Sequence, residues 1–491
     1  MDQKIFQAAW KELQASVVTY KGNPVGTVAA RDPEIEALNY DQVFTRDFAV
    51  SAIAFMVNGH YNIVKNWLQQ LLDLQSHEKQ FDCFKPGQGM MPVSFKVEQD
   101  TQGNEYIEPD FGEKAIGKVA PVDAVFWWLY VLRMYTRFSG DTGFAGKKEV
   151  QRGIRLILDL SLTSRFDMFP TLLVPDGSFM IDRRMGVYGY PIDIQSLFYT
   201  ALLASRELLE DNQENRPYRQ GVYERLGHLV YHIRKYYWLD FHQLNEMYRY
   251  EVEGYGGQTK NAFNIYPETI PDWLFEWIPH KGGYFAGNLG PARMDFRFFS
   301  SGNLLSIVSS LASEEQGQAI MQLLSERWDD LIGEMPIKVC YPAISGIQWK
   351  IQTGADPKNI PWSYHNAAAW PFLLWIMTAA GLKAGRPEIA RQAMEIAEQR
   401  IEKDRWPEYY DGKTNRMIGK EARLFQTWTF AGYLAARKLL DDPGLLDSIV
   451  FPEDQEVIAC SLETQTLYEQ EYYIQQSNIG YMKPDPQKPT S

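Results

Sequence analysis

Cysteine is scarce in this 491-residue sequence, which contains only Cys83, Cys340 and Cys460. The three lie far apart and form no CxxC pair, a pattern that favours a reducing compartment and argues against a zinc site. Long apolar runs are missing too: no stretch of about eighteen uncharged apolar residues exists, so we expect no membrane-spanning helix. The amphipathic N-terminus, "MDQKIFQAAWKELQASVV", lacks the hydrophobic region of a signal peptide. We therefore expect a cytoplasmic protein.

The chain has fewer basic than acidic residues, which gives a formal net charge of −13. A protein that binds nucleic acid or an anionic membrane needs a basic face, so neither is an expected partner. The hydrophobic content of 45% and the charged content of 23% are ordinary for a soluble globular protein. The aromatic content of 14% is high. Aromatic rings stack on sugars, which makes this content a weak pointer to a carbohydrate ligand.

Helical periodicity recurs along the chain and predicts about twelve helices. Some are apolar almost all round, such as "AVFWWLYVLRMY", whereas others are amphipathic, such as "RPEIARQAMEIAEQRIEK". Helices that are apolar all round must be buried on every side, so the alternation predicts an inner ring of helices inside an outer ring. The expected fold is all-α, an (α/α)6 barrel, with its last two inner helices over 364–381 and 421–441. A helical repeat array is the alternative, but no repeat of fixed length recurs.

Long connections rich in glycine, proline and aromatic residues precede the inner helices, at 76–120, 164–192, 239–298 and 331–363. Long structured loops in a compact domain are usually functional, and short strands are expected in them, for example in "GSFMID" and "PIKVCYP". The predicted organisation is one barrel domain over 1–445, followed by an acidic, partly disordered tail over 446–491.

Polar side chains recur where these loops meet the inner helices. Because the inner helices of such a barrel run parallel, their N-termini gather at one end and these side chains converge there. Each has an ordinary alternative role: a helix cap for the aspartates, an ion pair for the arginines, or a buried core histidine. The candidates are Arg46, Asp47, Asp123, Asp193, Asp295, Arg297, His365, Glu408 and Glu421.

The same loops are crowded with aromatic residues, among them Tyr40, Tyr190 and Trp362. Carboxylates, arginine and aromatic rings in one concave site suit a saccharide. Hydrolysis of a glycosidic bond then needs two carboxyl groups, one acid and one base. The sequence contains no competing catalytic triad, phosphate loop, dinucleotide motif or metal-ligand spacing, so neither a cofactor nor a metal is expected.

Several long motifs, in order, resemble those of the alkaline/neutral invertases of cyanobacteria and plants, glycoside hydrolase family 100. They are "YDQVFTRDF", "FKPGQGMMPVSFKV", "DFGEKAIGKVAPVDAVFWW", "DRRMGVYGYPIDIQ", "NLGPARMDFRFFSSGNL", "ADPKNIPWSYHNAAAWP" and "RWPEYYDGK…ARLFQTW". The resemblance covers roughly residues 35–445. It implies an (α/α)6 barrel that hydrolyses sucrose to glucose and fructose in the cytosol without a cofactor, often as an oligomer.

The resemblance also implies residue roles. Arg46 and Asp47 match the pair with which related barrel glucosidases grip glucose, and Asp193 falls at the general-acid position, with Glu408 or Glu421 as base. Similarity to those glucosidases implies inversion at the glucosyl carbon, with a water between acid and base. The candidate substrate-binding residues are Tyr40, Arg46, Asp47, Asp123, Tyr190, Gln195, Asp295, Arg297, Trp362 and His365.

Three other functions stay open at this point. The first is a barrel glucosidase acting on another disaccharide, such as trehalose or maltose. The second is a sugar epimerase, which is disfavoured because it needs paired histidines and His365 is the only histidine in the site motifs. The third is a sugar-binding protein without catalytic activity.

Overall fold

The computed structural model describes residues 3–34, 39–79, 86–114, 122–162, 169–249, 263, 265–290 and 293–479. The α-helices in these ranges are α1 (Gln3–Ala15), α2 (Thr45–Val57), α3 (Tyr61–Asp73), α4 (Ala124–Ser139), α5 (Thr142–Ala145), α6 (Lys148–Ser161), α7 (Ile192–Leu208), α8 (Arg216–Tyr236), α9 (Phe241–Arg249), α10 (Asp272–Trp277), α11 (Ser300–Val308), α12 (Glu314–Glu326), α13 (Trp328–Leu331), α14 (Gly346–Thr353), α15 (Leu374–Lys383), α16 (Pro387–Glu398), α17 (Thr427–Asp441) and α18 (Gln455–Ile479). None of the helices described is long and apolar enough to cross a membrane.

The strands are short and lie mostly in the connections between helices. They are β1 (Val17–Tyr20), β2 (Asn23–Thr27), β3 (Val43–Phe44), β4 (Ser94–Gln99), β5 (Glu105–Asp110), β6 (Tyr190–Pro191), β7 (Trp238–Asp240), β8 (Gly283–Gly290), β9 (Arg293–Phe299) and β10 (Cys340–Tyr341). They form a β1–β2 hairpin, a β3–β4–β5 sheet and a β10–β9–β8–β6 sheet in which β7 also pairs with β8. All the pairings of neighbouring strands are antiparallel.

Six helices close into a ring in the order α2, α4, α7, α11, α15, α17 and back to α2. Nearly every residue of these helices is buried, including the aromatic face of α4 and both faces of α7. A second layer packs outside the ring and contains α1, α3, α6, α8, α12 and α16. The outer helices are amphipathic, because only one side of each touches the ring. The arrangement confirms the predicted (α/α)6 barrel.

The two ends of the barrel differ in their connections. Links from an inner helix to the following outer helix are short, as between α15 and α16, where only three residues intervene. Links from an outer helix to the next inner helix are long and hold the sheets, α9, α10 and α14. These long loops therefore all lie at the end where the inner helices begin, as the sequence predicts.

None of the six inner helices begins with a side-chain capping hydrogen bond. Asp123 stands at the N-cap position of α4, yet its carboxylate does not bond the first turn. The outer helix α12, by contrast, starts with a complete capping box formed by Ser313 and Gln316. The polar residues at the starts of the inner helices are therefore not helix caps.

One of the two loop segments expected to contain a strand does not form one. "GSFMID", residues 177–182, forms turns and bends instead of a strand, whereas "PIKVCYP" contains β10. The C-terminal region beyond 445 includes α18, which packs against α8. Residues 480–491 of the predicted tail lie outside the described residues.

Candidate active site

A cavity of about 370 Å³ opens at the end of the barrel where the inner helices begin. This volume suits a small ligand such as a disaccharide. Its acidic lining residues are Asp47, Asp110, Asp123, Asp182, Glu408 and Glu421, its basic ones are Arg46, Lys114, Arg183, Lys358 and Arg423, and its aromatic ones are Phe44, Tyr40, Tyr364, Trp370 and Trp428.

Arg46 connects two of the carboxylates. Its Nε donates to Oδ2 of Asp123 at 2.5 Å, and its Nη1 donates to Oδ2 of Asp182 at 3.3 Å. Arg46 lies in the first turn of α2 and Asp123 immediately precedes α4, so neighbouring inner helices bring the two together. The ion pair explains why Asp123 does not cap its own helix.

Asp182 stands at the end of a loop that is held by another aspartate. The Asp176 carboxylate accepts backbone N–H groups from Met185, Gly186 and Val187, so the loop folds back around it. The side chain of Asp182 is 45% exposed, but that exposure is to a cavity enclosed by protein. Burial in this enclosure raises the pKa of Asp182, although Arg46 partly opposes the shift. Asp182 is thus both accessible to a ligand and inclined to keep a proton.

Glu408 is only 3% exposed and is held by two hydrogen-bond donors and one nearby cation. The Tyr40 hydroxyl donates to Oε1 at 2.9 Å, and the backbone N–H of Arg423 donates to Oε2 at 3.3 Å. The ammonium group of Lys358 lies 3.8 Å from Oε2. Such a set of donors fits a carboxylate rather than a carboxylic acid, and it fixes the orientation of the group.

Asp47 is a further carboxyl group in the same cavity. Burial raises its pKa to about 8, because the attraction of Arg46 is offset by the charges of Asp182, Glu408 and Asp123. A carboxyl group that stays protonated at neutral pH can donate a hydrogen bond to a ligand oxygen as well as accept one.

Aromatic rings build one wall of the cavity. The rings of Tyr364 and His365 lie 4.1 Å apart, and those of His365 and Trp370 are stacked at 5.2 Å. Trp370 in turn stacks on Tyr409 at 5.3 Å. Tyr364, His365 and Trp370 come from the loop before α15, not from its first turn, since α15 begins at Leu374. Tyr409 comes from the loop before α17.

Seven of the residues singled out from the sequence line this cavity. They are Tyr40, Arg46, Asp47, Asp123, His365, Glu408 and Glu421. Glu421 is exposed and has a positive φ of 59°, in a turn before α17 rather than at its start.

Six of the predicted residues are not part of the cavity lining, namely Tyr190, Asp193, Gln195, Asp295, Arg297 and Trp362. Gln195 is fully buried, and its amide exchanges two hydrogen bonds with the backbone of Leu172. Asp295 and Arg297 pair with each other at 2.5 Å on β9. The backbone carbonyl of Trp362 accepts a hydrogen bond from the backbone N–H of Gly412. Tyr190, in β6, is buried, and its carbonyl accepts the Tyr237 hydroxyl.

Asp193 is buried in the first turn of α7, next to Gly302 of α11. No hydrogen bond of good geometry reaches either of its carboxyl oxygens from the residues described. Burial raises its pKa to about 7, against a smaller lowering effect of the nearby donors of Asp193 itself, Gly302 and Ser301. Its raised pKa fits an acid, but its position does not bring it to the cavity surface.

Several cavity residues were not predicted, above all Asp182, Arg183, Lys358 and Arg423. Asp182 opens the motif "DRRMGVYGYPIDIQ", which carries the family resemblance, but it also ends "GSFMID", for which the sequence predicts a strand. The sequence therefore contains a signal for Asp182, namely its place at the start of that motif. No group of three or more His, Cys, Asp or Glu suited to a metal ion occurs among the residues described.

Comparison of the fold with solved structures identifies (α/α)6-barrel glycosidases as neighbours. A GH63 mannosylglycerate hydrolase from Thermus thermophilus has a TM-score of 0.54 at 12% identity, covering 88% of this chain and 99% of that one. A bacterial glucoamylase complexed with acarbose has a TM-score of 0.52 at 12% identity, covering 93% of this chain and 57% of that one. The barrel therefore has the fold of this class of glycoside hydrolases.

The sequence comparisons are more specific. The family model described as alkaline and neutral invertase matches residues 9–443, and the chain belongs to this family. It is 54% identical to probable alkaline/neutral invertase D of Arabidopsis thaliana, over 91% of this chain and 84% of that protein. It is 55% identical to cytosolic invertase 1 of Oryza sativa subsp. japonica, over 91% of this chain and 80% of that protein. Neutral/alkaline invertase 1, mitochondrial, from the same plant is 54% identical, over 92% of this chain and 74% of that protein.

Proposed function

We propose that the protein hydrolyses sucrose to glucose and fructose, with Asp182 as general acid and Glu408 as general base. The observation that supports this most directly is the contrast between two carboxyl groups in one cavity. Burial favours the protonated form of Asp182, whereas Glu408 is surrounded by donors. Opposed environments of this kind suit the two roles in glycoside hydrolysis.

The reaction consumes one water. Asp182 gives its proton to the bridging oxygen as the bond from that oxygen to the glucosyl carbon breaks, and fructose leaves. Glu408 removes a proton from a water as the water oxygen bonds to the same carbon. Asp182 then regains a proton from solvent and Glu408 releases one, so both groups return to their starting states. The configuration at the glucosyl carbon is inverted.

The other cavity groups suit the binding of sugar hydroxyls. Arg46 is fixed by Asp123, and the protonated Asp47 beside it offers both a donor and acceptors. Tyr364 and Trp370 present aromatic faces. The residues Tyr190, Asp193, Gln195, Asp295, Arg297 and Trp362 would act only indirectly under this proposal, by supporting the cavity loops.

An assay of reducing sugar released from sucrose, trehalose and maltose tests the proposed substrate. Sucrose should be hydrolysed and the other two should not, because the proposal places this chain's activity with its family. NMR of the fresh product should show β-glucose first. Release of α-glucose first would mean retention and would overturn the pairing of Asp182 with Glu408 across a water.

Location and assembly are a further part of the proposal. The relatives described above include a cytosolic and a mitochondrial invertase. We propose a cytoplasmic location and a homo-oligomer for this chain, to be checked by fractionation and by light scattering of the purified protein.

A further inference from the structure

His365 faces the oxygen of Asp182 that Arg46 leaves free. Its Nδ1 lies 3.6 Å from Oδ1 of Asp182, while Nη1 of Arg46 lies 3.3 Å from Oδ2. The separation is slightly longer than a hydrogen bond, and contacts in unliganded active sites commonly tighten when substrate binds. The imidazole is held between the rings of Tyr364 and Trp370, and its backbone N–H donates to Asn359 Oδ1. The ring therefore has a fixed place beside the acid.

The imidazole is neutral in this setting. Burial lowers the pKa of His365 well below its usual value, and the cations Arg46, Lys358 and Arg183 lower it further. A neutral imidazole carries one nitrogen that accepts a hydrogen bond. In the described part of the chain, Nδ1 has no hydrogen-bond partner, so it is free to accept one.

We propose that His365 is a positioning residue that holds the proton of Asp182 on Oδ1 between turnovers. The inference rests on the function proposed above for Asp182. Arg46 donates to Oδ2, so Oδ2 takes the part of the carbonyl oxygen and Oδ1 that of the hydroxyl. The O–H group points to Nδ1 of His365 until the bridging oxygen of the substrate arrives. It then rotates about the C–O bond and gives its proton to that oxygen, and the imidazole gains no proton at any step.

The nitrogen lone pair also acts on the charged form of the acid. When Asp182 has lost its proton, Nδ1 and Oδ1 oppose each other with lone pairs, which favours return of the proton from solvent. The charged and titratable groups that face the pair come from the surrounding loops and α2, and they are Tyr40, Arg46, Asp47, Asp123, Arg183, Asp356, Lys358, Tyr364 and Glu408.

The test is the pH profile of kcat/KM, whose basic limb reports loss of the acid proton. His365→Phe keeps a ring between Tyr364 and Trp370 but removes the acceptor, and its basic limb should move about one unit to lower pH, as loss of one hydrogen bond implies. His365→Asn places an amide oxygen near the position of Nδ1 and should restore most of the shift. His232→Phe is the matched control, because burial also lowers the pKa of His232, to about 4, but this histidine lies on the outer helix α8.

Three outcomes would overturn the proposal. The first is a basic limb that is unmoved in His365→Phe. The second is a limb moved to higher pH, which would mean that Nδ1–H donates to an ionised Asp182. The third is failure of His365→Asn to restore the limb. Asp182→Asn separates these from failure of the proposed function, because an active Asp182→Asn variant would remove Asp182 from its role whatever His365 does. Thermal unfolding of each variant checks that the change is not one of folding.

Discussion

The two ends of the inner ring differ in the polar groups that surround the ends of the helices. At the open end the helices begin without side-chain caps, and polar residues there, among them Arg46, Asp47 and Asp123, line the cavity. At the closed end, cations on the helices donate to backbone carbonyls and a carboxylate of the segment 443–454, called here the base strap. The comparison indicates that the open end is built for binding and chemistry and the closed end for stability.

Three cations on different helices hold the base strap. Arg133 of α4 donates to the carbonyls of Ser448, Ile449 and Val450. Arg234 of α8 pairs with Glu453 at 3.0 Å. A third cation, at the end of α15, is Lys383. Its ammonium group donates to the carbonyls of Ile307, Val308 and Phe451 and to the Ser310 hydroxyl. The strap thereby adds acceptors for cations that are removed from solvent.

The largest expected effect is loss of activity at the open end. Asp182→Asn and Glu408→Gln should each lower kcat by about 10²–10⁴-fold, because each removes one proton transfer. Neither should lower Tm appreciably, since the cavity is not part of the packed core. Steady-state kinetics and thermal unfolding of the same preparations check both halves. Normal turnover in either variant would mean that the acid or base is another residue.

Substitutions at the closed end should have the opposite effect, lowering stability rather than activity. Arg133 is fully buried and also pairs with Glu207. Arg133→Met leaves the carbonyls of Ser448 and Val450 without this donor, whereas that of Ile449 keeps the Tyr130 hydroxyl, at a cost of about 3 kcal/mol in the free energy of unfolding. Arg137→Met is the matched control: it removes a second partner of Glu207, but this arginine is 43% exposed, so the cost should stay below about 1 kcal/mol. Urea unfolding measures both. Equal losses in the two variants would contradict the proposed role of the base strap.

An intermediate effect is expected at Asp193, which is buried and therefore has a raised pKa. Its folded pKa, about 7, exceeds the usual unfolded value, so the stability it contributes is present in acid and is lost as pH rises through about 7. Relative to the parent protein, Asp193→Asn should therefore become more stable between pH 5 and pH 8, by about 2 kcal/mol. Urea unfolding at both pH values checks this. The variant should keep most of its activity, and a loss as deep as that of Asp182→Asn would return Asp193 to the catalytic role first expected.

The sequence predicted the ring better than it predicted the cavity. Apolar periodicity located the inner helices, because burial on all sides leaves a clear pattern. It placed the last two helix starts too early, at 364 and 421 instead of Leu374 and Thr427. Tyr364, Ala367 and Phe425 have φ values of 50°, 71° and 51° there, a conformation that hydrophobicity does not encode. Such backbone is held by tertiary contacts and concentrates at functional sites.

Asp182 illustrates the same limit. Its position depends on Asp176, whose carboxylate gathers three backbone N–H groups from residues nine to eleven positions further on. The short apolar run in "GSFMID" resembles a strand, but no neighbouring strand pairs with it in the described structure. A resemblance between motifs can point to the loop, whereas the choice of carboxylate within it needs the folded geometry.

The smallest effect is expected at the edge of the cavity, at Glu421. This glutamate lines the cavity but is exposed, whereas Glu408 is buried and held by Tyr40, Arg423 and Lys358. A general base must keep one orientation toward its water, and an exposed side chain pays more rotamer entropy to do so. Glu421→Gln should therefore lower kcat/KM by less than about tenfold, with kcat nearly unchanged. Kinetics of Glu421→Gln and Glu408→Gln side by side make the comparison. If Glu421→Gln were the deeper loss, the base would be the exposed glutamate, and Tyr40 and Lys358 would be holding Glu408 for binding instead of proton transfer.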